Sequence, residues 1–294
     1  MSVDECIKAG DFEGASALLG EQTAGHAADP GLLLTLFSME VRLQRFAAAE
    51  TTMRRLIAAA PHVAERMSEF SRAARAEAKA TARLIDPQLA GTRTTVGIPP
   101  AHALAYVKAA VLHAQKDYPG AAAALAEAKA CTPAVTGTLT WSSGKTARFL
   151  DLTDSDDLTG PTLPCYDGET PLDLPYSELR SVELLYGGTS FDVMWIPTDV
   201  TLVDGKTLHV RVPAYHLGTG CSEEASVRTG QMTMWSHERG YAEAMGQRDF
   251  KATMASGGLS MMGILQMKRI DFNNEPRANA EPPKPKGFWQ RLFS

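Results

Sequence analysis

The chain has 294 residues, long enough for two domains that each bury a core. Its net charge of −5, with basic residues scattered through the first 85 positions instead of forming a dense stripe, argues against a nucleic-acid protein. No stretch approaches the roughly 20 apolar residues that span a bilayer, and Asp4 and Glu5 ahead of Lys8 do not make a signal peptide, so the expected location is the cytoplasm.

From the N-terminus to about residue 135 the pattern is helical. One register occurs three times: a turn, an aromatic, then alanine. The copies are Gly10-Asp11-Phe12-Glu13-Gly14-Ala15, Arg45-Phe46-Ala47-Ala48-Ala49 and Asp117-Tyr118-Pro119-Gly120-Ala121. Phe12 and Phe46 lie 34 residues apart and Phe46 and Tyr118 lie 72 apart, which is the spacing of tetratricopeptide helix pairs. The alanine lets two antiparallel helices approach, the aromatic fills the wedge, and Pro61 or Pro133 stops the second helix. Between the second and third copies, His62 to Ile85 reads as one long helix carrying Arg66, Arg72, Arg75 and Arg83, basic residues that either solvate it or face a partner. Residues 86–100, rich in Gly and Pro, read as a loop that takes the place of a repeat.

After Pro133 the period changes from 3.6 to 2. Short β-branched or aromatic runs, Thr136 to Thr140, Ala147 to Leu152, Ser181 to Tyr186 and Phe191 to Trp195, alternate with Gly, Pro and Asp. Val200 to Val203, then Asp204-Gly205, then Lys206 to Val212 predict a hairpin with a type I′ turn, Leu208, Val210 and Val212 facing one side and His209 and Arg211 the other. The predicted fold class is therefore α+β: an all-α, tetratricopeptide-like repeat domain over residues 1–135, then a mixed, mainly antiparallel β domain over 136–272. Residues 273–294 are a third kind of segment, a Pro-rich linker ending in a tip where Phe288, Trp289, Leu292 and Phe293 share one helical face. That tip either docks on a protein or weakly on a membrane, or folds back on its own domain.

Chemistry is sparse. Asp151, Asp154, Asp156 and Asp157 form the densest acidic cluster, but without the glycine and distal glutamate of a calcium loop they read as a polar turn. Cys6, Cys131, Cys165 and Cys221 are spaced too widely for a metal knuckle or a disulfide framework and read as reduced thiols, and His209, His216, Cys221 and His237 lack zinc spacing. There is no nucleophile elbow, Walker loop or dinucleotide fingerprint, so no catalytic residue, metal ligand or cofactor is expected. Trp195, Pro197, Pro213, Tyr215 and Trp235 mark core positions and strand ends. Arg228 and Arg248, each beside Gly and Gln, hold either loop carbonyls or a partner's carboxylate. Partner contacts are thus expected from Arg66, Arg72, Arg75, Arg228, Arg248, Phe288 and Trp289, with dimerisation through the β-rich domain left open. The alternative is an enzyme or a small-ligand or metal-binding protein with a site around His209, His216 and Arg248.

Several of these runs occur in a familiar order: Asp156 to Leu163, Trp195-Ile196-Pro197, the Asp204-Gly205 hairpin, Val212 to Tyr215, Val227 to Trp235, and Gly246 to Phe250. The series resembles the ImpE/SciE/TagJ family of type VI secretion accessory proteins, and the helical repeats agree with that family's N-terminal half. The resemblance implies a cytoplasmic, non-enzymatic factor that binds a helix of the small subunit of the contractile sheath, and through it serves the ATPase that recycles sheaths. An amphipathic helix received in a helical groove suits such a role.

Overall fold

The three registers become three helical hairpins in the computed structural model, which describes residues 1–24, 29–92, 94–95, 100–186 and 194–275. The pairs are α1 (Val3–Lys8) with α2 (Phe12–Gln22) and α3 (Pro30–Arg42) with α4 (Phe46–Ala59). After α5 (Ala64–Ile85) and the single turn α6 (Pro87–Ala90) comes the third pair, α7 (Ala101–Ala114) with α8 (Tyr118–Cys131). Every hairpin closes in the same way. The residue two before the aromatic is left-handed, at φ 70° for Gly10, 57° for Gln44 and 65° for Lys116. The next N–H then reaches back five residues: Asp11 to the Cys6 carbonyl at 2.8 Å, Arg45 to Glu40 at 2.7 Å, Asp117 to Leu112 at 2.9 Å. Asp11 and Asp117 cap the following helix by accepting from the Gly14 and Gly120 amides. Ala15, Ala49 and Ala121 are all 0% exposed, as close helix crossing requires.

Two local expectations are revised. Residues 86–100 contain a helical turn, α6, whose amide at Gln88 is capped by Asp86, in place of continuous loop. The long helix starts at Ala64, after a 3₁₀ turn over Pro61–Val63.

The second half is β1 (Gly137–Trp141), β2 (Thr146–Asp154), β3 (Thr162–Asp167), β4 (Thr170–Pro175), β5 (Leu179–Leu184), β6 (Trp195–Leu202), β7 (Thr207–Pro213), then the short helix α9 (Ala225–Arg228), β8 (Thr233–Ser236), β9 (Glu243–Gly246), β10 (Asp249–Met254), β11 (Leu259–Gly263) and β12 (Met267–Phe272). Ten strands form one sheet in the order β11-β10-β2-β1-β12-β5-β6-β7-β3-β4, and β8 pairs with β9 as a separate ribbon. All ladders between these strands are antiparallel. The β6–β7 hairpin is where the alternation places it, and Val210 and Val212 are buried while His209 is exposed. Its turn is not type I′. Among non-glycine residues only Gln44 and Lys116 have positive φ in the described chain, so in this turn Asp204 keeps a negative φ and Gly205, at φ 86°, is left-handed. The Gly205 amide bonds the Leu202 carbonyl and the Leu202 amide bonds Lys206, giving a type I turn followed by a glycine bulge.

The sheet encloses its own core of Leu139, Phe149, Leu152, Tyr176, Val200, Phe250 and their neighbours. A second core joins the two halves. Trp195, at the start of β6 and fully buried, lies 6.4 Å from the Phe37 ring of α3 and 6.5 Å from the Phe70 ring of α5, with Met53, Met67, Tyr166 and Met194 around them. Behind it Leu158 and Tyr241 pack against α7 and α8.

Candidate functional site

Helix α5 buries Met67, Phe70, Ala73, Ala74 and Ala76, and Arg83 near its end, 15% exposed, donates to the Pro171 carbonyl at 3.4 Å and faces Asp173 at 3.9 Å. Arg66 and Arg72 are exposed. Arg75 is engaged at home: it bonds Glu169 in the β3–β4 turn at 2.8 Å, Ser71 at 3.1 Å and Glu50 of α4 at 3.4 Å. The three arginines therefore share a helix but differ in freedom, Arg75 tying the helices to the sheet.

Arg228 and Arg248 use the loop-carbonyl option. The Arg228 Nε donates to the Gly10 carbonyl at 2.7 Å, and Nη1 donates to the Ser222 and Glu223 carbonyls at 2.6 and 2.7 Å. This side chain thus fixes the first hairpin turn to the β-rich half. Arg248 is 2% exposed; it pairs with Asp154 at 2.5 Å and donates to the Pro213 carbonyl at 3.1 Å. Burial takes Arg248 off the protein surface, a correction to its expected place among partner contacts. Phe288 and Trp289 lie outside the described residues.

Around Arg248 the interior holds a polar seam. The Ser155 hydroxyl lies 3.3 Å from His216 Nε2 and donates to Asp249 Oδ1, which is itself 3.4 Å from the same nitrogen. His216 Nδ1 faces Asp154 at 3.8 Å. In a nucleophilic triad the imidazole takes the serine proton while the carboxylate orients the ring from its other nitrogen. Here the serine proton is given to the carboxylate, and Ser155 is 0% exposed. The seam can order a loop junction and hold charge; it does not present a nucleophile. Burial pushes the Asp154 carboxyl up from its ordinary range, against the pull of the Arg248 guanidinium and His216.

Nearby, Glu77 of α5 accepts the Trp195 indole N–H at 2.5 Å, and burial lifts its carboxyl to about 7. Glu77 falls on the apolar stripe of α5, three residues after Ala74 and four after Ala73, an acid out of place that the sequence displays but sequence reasoning passed over.

His216 and Arg248 border a cleft of about 320 Å³ between α5 and α7 on one side and β3, β4 and β9 on the other, lined also by Thr81, Leu84, Ala110, Tyr166, Leu172 and Met245. The structure brings His216 and Arg248 together, as the alternative reading requires, but sets His209 apart: it is exposed and bonds Asp199 at 2.6 Å. His113, on the opposite wall, bonds the Tyr241 hydroxyl at 2.7 Å, and burial lowers its pKa. The acidic cluster works as turn structure: Asp156 accepts from the Leu158, Thr159 and Ala244 amides, and Asp157 accepts from Ala242 and pairs with Lys129. Among the described residues no three His, Cys, Asp or Glu side chains are arranged to hold a metal ion. The four cysteines are free thiols, with Cys6 and Cys165 buried.

Residues 146–270, from β2 into β12, match the family model described as ImpE protein. The chain is similar to the type VI secretion system accessory component TagJ of Pseudomonas aeruginosa, 26% identical over 237 residues that make up 80% of this chain and 81% of that protein. A crystal structure of a Vibrio parahaemolyticus protein has the same fold at a TM-score of 0.77, with 14% identity and coverage of 93% of this chain and 98% of that one.

Proposed function

The chain belongs to the ImpE family, and from that premise we propose that it is an accessory component of type VI secretion, a non-enzymatic adaptor that works in the cytoplasm. One observation carries this reading: the similarity to the accessory component runs over four fifths of both chains, too long to be confined to either half. The helical half supplies the grip. An amphipathic helix of a partner, such as the small subunit of a contractile sheath, lies along the hairpins with acidic side chains toward Arg66 and Arg72 of α5. The β-rich half, joined to the hairpins by the Trp195 core, holds them in fixed orientation. Basic residues at the edge of such a contact act mainly on association rate and on its salt dependence.

A pull-down from the source cell tests this. Wild-type protein is expected to recover a sheath subunit, and Arg66→Glu/Arg72→Glu to recover at least tenfold less, with unchanged thermal stability because both side chains are exposed. Recovery of no protein partner by the wild type would sink the adaptor reading.

A further inference from the structure

The ten-stranded sheet ends in two different ways. At the β4 edge the Thr94 carbonyl accepts from the Asp173 amide at 2.9 Å, so another segment of the chain lies against that strand. At the opposite edge β11 pairs with β10 alone among the described residues. Two bonds at the ends of the β10–β11 ladder settle which of its backbone groups point away from the sheet. Met254 donates to the Gly258 carbonyl at 3.0 Å, and Ile264 donates to the Arg248 carbonyl at 2.8 Å. Hydrogen-bonded pairs alternate along an antiparallel ladder, so between these ends Ser260 and Met262 bond to β10. Leu259, Met261 and Gly263 therefore turn three N–H and three C=O groups outward.

Natural sheet edges are blunted by lysine, proline or a bulge, because an open edge is a template for another strand. β11 reads Leu259-Ser260-Met261-Met262-Gly263 and has none of these devices: it is uncharged, and its register with β10 is unbroken. Its outer side chains are apolar and open, Leu259 at 69% and Met261 at 40% exposure.

We propose that β11 of a second copy of this chain covers this edge, the two strands running antiparallel about a two-fold axis at Met261. Symmetry selects this occupant. A two-fold axis sets a strand against itself, so any charge near the axis meets its own copy and repels it, whereas an uncharged strand does not. The cation across the ladder from Met261, Lys251, is already paired with Asp157 at 3.6 Å. With the axis at Met261, Met261 faces Met261 and Leu259 faces Gly263, and every outward N–H and C=O of both strands is bonded. An axis at Ser260 leaves the groups of Gly263 unpaired, and one at Met262 leaves those of Leu259 unpaired. The dimer then joins two sheets edge to edge and closes after two copies, because each chain offers one such edge among its described residues. It does not depend on the hairpins gripping a partner helix, so the pull-down above can fail without affecting it.

Light scattering and sedimentation of the full chain test the proposal. At concentrations on the order of 100 μM, where even a small interface is populated, the wild type is expected to weigh twice its chain mass of 31.6 kDa. Met261→Pro removes one outward N–H per copy and breaks no bond to β10, and Met261→Lys sets two like charges at the axis. Both are expected to dimerise at least tenfold more weakly, with unchanged helical ellipticity. Disulfide trapping reads the register in a Cys131→Ser/Cys221→Ser background, which removes the two exposed thiols. The Cα atoms of a hydrogen-bonded pair lie about 5.5 Å apart, within reach of a disulfide, so Met261→Cys is expected to cross-link two copies. Leu259→Cys is expected not to, since its equivalent lies four residues away along the partner strand, roughly 14 Å. A chain that stays monomeric overturns the proposal. So does a dimer that Met261→Lys leaves intact, which assigns it to another surface, or cross-linking by Leu259→Cys as efficient as by Met261→Cys.

Discussion

Buried ionisable side chains set the response of this protein to pH and to substitution. Glu77 is held at about 7 by burial, against an ordinary value of 4.5. Below 4.5 the carboxyl is protonated in both folded and unfolded chains and costs nothing. Between 4.5 and 7 the folded chain keeps a proton that the unfolded chain has released, so stability falls as pH rises through this window, by on the order of 3 kcal/mol in all. Glu77→Gln retains an acceptor for the Trp195 indole and removes the titration. The variant and wild type are expected to unfold at the same urea concentration at pH 4.5, and the variant at a higher one at pH 8; equal midpoints at pH 8 would disprove the assignment. Asp154 and Arg248 behave differently, because each compensates the other in the interior. Asp154→Asn leaves the guanidinium uncompensated and is expected to cost about 3–5 kcal/mol, whereas Asp154→Leu/Arg248→Met, which removes both charges, is expected to cost much less. Urea titration of the two variants side by side reads this asymmetry.

At the level of elements, the hairpins were legible because they repeat. Phe12, Phe46 and Tyr118 each open a second helix, and Ala15, Ala49 and Ala121 each sit at its crossing, because close approach tolerates nothing larger than a methyl group. The left-handed residues that turn these hairpins were not legible. Gly10 announces its conformation, but Gln44 and Lys116 adopt it against their own preference, forced by the five-residue backbone bond that closes the turn. The same limit applied at Asp204-Gly205: alternation located the hairpin, while the choice between a type I′ turn and a bulge depended on one backbone angle at Asp204. Lys116 gives a direct test. It is exposed and strained at φ 65°, so Lys116→Gly is expected to stabilise the protein by about 0.5–1 kcal/mol, raising Tm by roughly 1–4 °C in a chain of this size. Lys116→Ala, which keeps a Cβ, is expected to show no such gain by calorimetry.

The whole molecule is held together where periodicity is silent. A change from period 3.6 to period 2 divides the sequence at Pro133, yet contacts between the halves come from residues distant in the chain, which no local pattern can pair. Trp195 meets Phe37 and Phe70, Arg211 lies 5.0 Å over the Phe70 ring, and Arg228 reaches Gly10. For the same reason the sequence offered Arg248 and His216 as candidates without revealing that Asp154 pairs with Arg248 or that Asp249 and Ser155 lie against His216. A shared core predicts shared unfolding. Trp195→Ala removes a fully buried indole from that core and is expected to cost about 3–5 kcal/mol. Helical ellipticity reports mainly α1 to α8, while tryptophan fluorescence reports mainly the β-rich half, which holds Trp141, Trp195 and Trp235. If the two halves form one cooperative unit, both signals follow a single urea transition in the wild type, and in Trp195→Ala both move to lower urea together, by about 1 M or more for an m-value near 3 kcal/mol/M. Two separate transitions, with only the helical one displaced, would instead make the halves independent domains that merely touch through Trp195.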